Sequence, residues 1–195
     1  MTPSLVVVGA SLGGLNALRA IMGGLPRDFP LPIVVVQHRS RDGDGTLTQF
    51  LQGSSALPVC EPDDKEPLSP GRIYMAPADY HLLVESGNLA CSTDAPVNFS
   101  RPSIDVLFDS AAEAYGSGVV GVILSGSNAD GAAGAARIAH RGGIVIVEDP
   151  SFAEAAAMPA AALAAAPRSH VARLAEIAPL LMRVCCDRER TQDHG

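Results

Sequence analysis

Four short runs of the chain are continuously apolar and rich in β-branched residues: Leu5-Val-Val-Val8, Ile33-Val-Val-Val36, Val119-Val-Gly-Val-Ile-Leu124 and Ile144-Val-Ile-Val147. A strand with one wet face alternates apolar and polar residues, whereas an unbroken run suits a strand covered on both faces, as in a parallel sheet between helices. Helical periodicity fills the intervals, at about 13–24, 46–53, 104–115, 131–141 and 173–184. The second of these opens on a capping-box pattern, Thr46-Leu-Thr-Gln49, ahead of Phe50 and Leu51. Strands alternating with helices predict a doubly wound, mostly parallel α/β sheet of the Rossmann-like three-layer type.

Leu57 to Ser92 reads differently, with more Pro and Gly and short apolar pieces at Arg72–Ala76, His81–Glu85 and Leu89–Ser92. Ser86-Gly87-Asn88 between the last two predicts a small antiparallel hairpin. The Ala-rich tract 153–166 predicts a helix broken near Pro159. One domain over 1–184 and a polar, fraying tail over 185–195 complete the expected organisation, with no linker and no internal repeat.

Composition narrows the function classes. At 195 residues, 47% hydrophobic and 18% charged, the chain can bury a sizeable core, which excludes intrinsic disorder. Fourteen Lys and Arg against 21 Asp and Glu give a net charge of −7, and Trp is absent. A basic footprint and stacking aromatics for nucleic acid are both missing. Cys60, Cys91, Cys185 and Cys186 show no C-x-x-C spacing, as expected of a reduced, cytoplasmic chain. Neither a secretory signal nor an apolar stretch of ~20 residues is present, so membrane insertion is not expected.

Gly9-Ala10-Ser11-Leu12-Gly13-Gly14 lies between a predicted buried strand and a helix. A dinucleotide fingerprint would need Gly where Ser11 stands and an acidic residue ending the second strand, which ends instead in Gln37-His38. A phosphate-binding Walker loop would need a lysine after the glycines, and there is none. Gly9-x-Ser11-x-Gly13 does fit a nucleophile elbow, in which a tight turn lifts the serine hydroxyl above the sheet. An ordinary Gly-rich turn whose serine caps the helix reads the same residues.

Such a serine needs an imidazole, and the imidazole a carboxylate. His38 follows the second strand and so shares the carboxyl edge of the sheet with Ser11, where ligands of open α/β sheets bind. His194 stands beside the chain end, His140 and His170 sit in or near predicted helices away from strand ends, and His81 precedes a hairpin strand. The carboxylate candidates are Asp130, in the loop after Leu124, and its rival Asp149. Asp130 also reads as a plain helix N-cap.

Gly9–Gly14, Gln37-His38, Ala76-Pro-Ala-Asp-Tyr-His81, Arg101-Pro-Ser-Ile-Asp-Val-Leu-Phe108, Gly121–Gly126 with Asp130-Gly-Ala-Ala-Gly134, and Met158-Pro159 occur in that order. Together, from about Ser4 to Val184, they resemble the catalytic domain of CheB, the protein-glutamate methylesterase of chemotaxis and two-component signalling. The resemblance implies Ser11 as nucleophile, His38 as general base and acid, and Asp130 as its orienter. It implies backbone N–H groups of Leu12 and Ser127 at the oxyanion, and no metal or organic cofactor. The implied substrate is a glutamyl methyl ester on the cytoplasmic helical bundle of a methyl-accepting chemoreceptor, with deamidation of receptor glutamines by the same route.

The chain departs from the family pattern at Leu12, where Thr is common, at Arg39, where Met is usual, and across Ser127-Asn128-Ala129. The family typically carries an N-terminal receiver domain, whereas this chain opens almost directly on the first strand. The readings are a natural stand-alone enzyme, which Met1-Thr-Pro favours, a shortened chain, or control by a separate receiver or regulatory protein. Arg39, Arg41 and Arg101 could form a basic rim attracting Glu-rich receptor helices, or ordinary loop ion pairs. The acidic loop 41–45 fails as a calcium hand, since its twelfth place is Gly53. The alternatives to a receptor methylesterase are a related esterase or amidase with another substrate, and a non-catalytic binding module of a chemosensory array.

Overall fold

All four apolar runs are strands, and they lie side by side in the middle of one sheet. The computed structural model describes residues 2–39 and 46–186. The chain runs β1 (Leu5–Ala10), α1 (Gly14–Gly23), β2 (Ile33–Gln37), α2 (Thr46–Gln52), β3 (Val59–Cys60), β4 (Ile73–Met75), β5 (His81–Val84) and β6 (Leu89–Ser92). It continues α3 (Ile104–Tyr115), β7 (Val119–Ile123), α4 (Ala132–His140), β8 (Ile144–Glu148), α5 (Ala157–Ala165), β9 (His170–Ala172) and α6 (Leu174–Cys186). Strand order in the main sheet is β3-β4-β2-β1-β7-β8-β9, every pair parallel. From β1 the chain winds outward through β2, and after β7 it winds the opposite way. The break between β1 and β7 is therefore the topological switch point, where the loops at the carboxyl ends part and leave a crevice.

Both faces of the sheet are covered, which is why its central strands show no alternation. Leu5 and Val7 of β1 face Leu107, Phe108 and Ala111 of α3, with Ile138 of α4 and Ala162 of α5 in the same cluster. Val6 and Val8 point the other way, into a second cluster with Leu18 and Ile21 of α1 and Ile177 and Leu181 of α6. Each core side chain of this kind contributes about 1.5–3 kcal/mol when removed from water. The hairpin β5–β6 stands apart from the main sheet as a two-stranded antiparallel pair. It packs on α3 through Leu82, Val84 and Leu89, and Ser110 Oγ accepts the Val84 N–H at 3.0 Å.

The centre of the Arg72–Ala76 piece is β4, which extends the parallel sheet beside β2. The structure corrects two expectations. His170 lies close before α6 but is not away from strand ends, because it opens β9, an edge strand paired with β8. Pro159 does not break the Ala-rich helix: it falls in the first turn of α5, after the N-cap Ala156. Backbone N–H groups there have no intrahelical acceptor in any case, so the missing donor costs nothing. No helix of the described residues is long and apolar enough to cross a membrane.

Candidate active site

Ser11 follows β1 directly, and its N–H donates to the Ser125 carbonyl at 2.9 Å, which prolongs the β1–β7 contact into the loops. The chain then turns at Gly13, with φ 78°, into α1. That left-handed conformation strains any other residue. Gly9 is needed for a different reason. A Cβ there would lie 2.4 Å from Ile104 Cγ2, so the bare backbone of β1 lets the N-terminus of α3 come close to it.

His38 follows β2 directly, its N–H donating to the Ala10 carbonyl at 2.9 Å. Gln37, the last residue of β2, is buried, and its Nε2 donates to the Ser11 carbonyl at 2.9 Å and the His38 carbonyl at 3.0 Å. One amide thus fixes the two loops relative to each other. Ser11 Oγ lies 3.2 Å from His38 Nδ1, and His38 Nε2 lies 2.7 Å from Asp130 Oδ2. A carboxylate only accepts, so Nε2 carries the proton toward Asp130 and Nδ1 is left to accept from the serine hydroxyl.

Asp130 is 1% exposed and satisfies more than the imidazole. Its N-cap reading is not what the structure has, because α4 is capped by Gly131. Instead the carboxylate reaches the start of α3. The N–H of Ile104 donates to Oδ2 at 2.7 Å and that of Asp105 to Oδ1 at 3.1 Å. Ser103 Oγ and Asn98 Nδ2 also donate to Oδ1, at 2.8 and 3.1 Å. Burial by itself would raise the pKa of Asp130, but the bonds from His38, Ile104, Asn98 and Ser103 outweigh it and hold the carboxyl below its ordinary value. The group is therefore ionised and fixed, as an imidazole partner must be.

Asp149 is elsewhere engaged, accepting the Ser151 N–H at 2.9 Å. His81 is structural: Nδ1 accepts the Ser103 N–H at 3.2 Å and Nε2 donates to the Ala95 carbonyl at 3.1 Å. The loop after β7 is tied to the segment before α5, with Gly126 donating to Ala155 at 3.0 Å and Met158 donating back to Gly126 at 2.9 Å. Among the described residues the N–H groups of Leu12 and Ser127 have no acceptor, and the Leu12 side chain is 61% exposed. Behind this loop lies Glu148, 3% exposed, whose Oε2 accepts the Ser125 N–H at 2.8 Å. Burial pushes its pKa up in spite of that bond.

A crevice of about 210 Å³ opens on His38, walled by Arg39, Phe99 and Arg101 among others. A larger groove, about 670 Å³, runs between β9 and α6 and is lined by none of Ser11, His38 and Asp130. Arg39 donates to Glu61 at 2.6 Å and to the Ala76 carbonyl at 2.9 Å. Arg101 braces Asp79 at 2.8 Å and the carbonyls of Thr93 and Asp94 at 2.7 and 3.0 Å. Both arginines thus make loop ion pairs, while Arg41 and the 41–45 loop lie outside the described residues. Among the described residues no three His, Cys, Asp or Glu side chains converge as a metal-ligand set.

A doubly wound parallel sheet whose switch point carries hydroxyl, imidazole and carboxylate in one hydrogen-bonded row has the makeup of an α/β serine hydrolase. The chain belongs to the CheB methylesterase family, whose model matches residues 6–181. The crystal structure of the Thermotoga maritima CheB methylesterase catalytic domain superposes with a TM-score of 0.88 at 35% identity, covering 94% of this chain and 99% of that one. A Thermotoga maritima protein-glutamate methylesterase/protein-glutamine glutaminase is 39% identical over 159 residues, 80% of this chain and 46% of the relative. A Leptospira interrogans protein that carries the same name provisionally is 43% identical over 180 residues, 92% of this chain and 93% of its own length.

Proposed function

We propose that this protein is a cytoplasmic protein-glutamate methylesterase that releases methanol from methylated glutamyl side chains of a chemoreceptor helical bundle, and deamidates receptor glutamines by the same route. The observation that carries the reading is the Ser11–His38–Asp130 row, 3.2 and 2.7 Å between successive atoms, in a CheB-family chain. Ser11 Oγ attacks the ester carbonyl carbon while His38 Nδ1 takes its proton. The oxyanion accepts from the free N–H groups of Leu12 and Ser127, each such donor being worth about 2.7–4 kcal/mol. The tetrahedral intermediate collapses as His38 returns the proton to the departing methoxide. Water, deprotonated by His38, then attacks the acyl-serine, and the glutamate carboxylate leaves with Ser11 restored. Asp130 holds the imidazole in the tautomer that all these transfers require and stabilises it when protonated.

The test is methanol release from methylated receptor membranes by the wild type and by Ser11→Ala. A loss of at least about 10⁴-fold is expected. Equal rates would overturn the reading, and cleavage of small esters alone would point to another substrate.

A further inference from the structure

Phe99 is a fully exposed phenylalanine, at the tip of a turn that is otherwise tightly built. Val97 and Ser100 exchange backbone bonds of 3.1 and 2.9 Å. The two residues between them both have positive φ, 50° at Asn98 and 61° at Phe99, as a two-residue hairpin turn requires. Asn tolerates that conformation, whereas a bulky residue there is an outlier that folding alone does not select. Asn98 secures the turn from inside, its Nδ2 donating to Asp105 Oδ2 at 2.8 Å and to Asp130 Oδ1 at 3.1 Å. The backbone that carries the phenyl ring is thus fastened to the carboxylate that orients the imidazole, and Phe99 and His38 wall the same crevice.

We infer that Phe99 is a specificity-determining residue that packs against the protein surface flanking the reacting ester. The inference rests on the proposed methylesterase reading. The side chain is fully exposed and its backbone is held in a strained conformation, in a turn that Asn98 ties to the carboxylate orienting His38. Contact with a polypeptide segment would bury the ring, whereas a small ester can cover only the part of it that faces the crevice. The occupant is therefore the macromolecular substrate itself, an apolar stretch of receptor helix beside the methylated glutamate.

The experiment compares two substrates on the full chain: methanol release from membranes bearing a methylated chemoreceptor, and hydrolysis of p-nitrophenyl acetate. Phe99→Ala is expected to lower the ratio of receptor kcat/KM to small-ester kcat/KM about tenfold, chiefly through a higher receptor KM. Phe99→Leu is expected to keep the ratio within about threefold of wild type. An unchanged ratio in Phe99→Ala overturns the inference, whether both activities persist or both fall together. A wild type that releases no methanol from the receptor overturns the methylesterase reading and this inference with it. Methanol release with an unchanged ratio overturns the inference alone.

Discussion

Asp130 joins the N-cap Ser103 in capping a helix to which it does not belong: the backbone N–H of Ile104, first residue of α3, donates to its Oδ2 at 2.7 Å. That oxygen also receives His38 Nε2, so a helix N-terminus and an imidazole share one acceptor atom. The partial positive charge of the helix end favours the ionised carboxylate. Fold and chemistry meet at this atom.

Replacing Asp130 by Asn keeps the shape but puts an amide N–H₂ among donors. The imidazole then loses the acceptor that fixes its tautomer, and kcat is expected to fall about 10⁴-fold. Asp149→Asn is expected to stay within about twofold of wild type, since that carboxylate serves a local turn. Steady-state ester hydrolysis by the two variants checks the assignment, and equal losses would refute it.

Asn98→Gly retains the positive φ and removes two charge-assisted donors. The lowered pKa of Asp130 contributes stability that is present above its unfolded value, about 3.9, and lost as pH falls through the folded value. Without Asn98 the folded value rises toward the unfolded one. The variant is therefore expected to be about 1–2 kcal/mol less stable near pH 7, with the gap closing below about pH 4. Urea denaturation across that range measures it, and a gap independent of pH would contradict the account.

Glu148 has the opposite sign. Its raised pKa means that its contribution is fully present below the unfolded value, about 4.3, and lost as pH rises through the folded one. Gln at this position still offers an oxygen to the Ser125 N–H and carries no charge. Glu148→Gln is expected to raise Tm by about 2–4 °C near pH 8 and to have little effect near pH 4, as thermal melts at the two pH values would show.

Gly9→Ala is expected to cost about 1–3 kcal/mol, because the methyl group would drive Ile104 and the start of α3 away from β1. Activity should fall with it, about tenfold, as the Ile104 N–H leaves Asp130. Adding Ile104→Ala makes room for the methyl group, so the two changes should combine less than additively in a double-mutant cycle. Strict additivity would show that the clash is relieved some other way.

The central strands were legible because burial on both faces leaves long β-branched runs, as in Val119–Ile123 and Ile144–Val147. The edge strands were not. Val59–Cys60 and His170–Ala172 are two and three residues long and owe their pairing to the longer strand beside them. Ser11, His38 and Asp130 could be nominated because each follows a strand that the pattern reveals. Gln37, Asn98 and Ser103 act through partners 26 to 32 positions away, and only the winding of the sheet brings those together. Pro159 misled because a proline interrupts a helix only beyond its first turn, and periodicity does not say where that turn begins.

The reacting side chains hang from three neighbouring strands in the interior of the sheet, while the ring of Phe99 rides on a short surface excursion tied to the buried acid by one amide. Bond cleavage and target choice are thereby written on different pieces of the chain. The 96–100 excursion could be exchanged for that of another family member to redirect the enzyme, provided an amide remained to grip the buried acid.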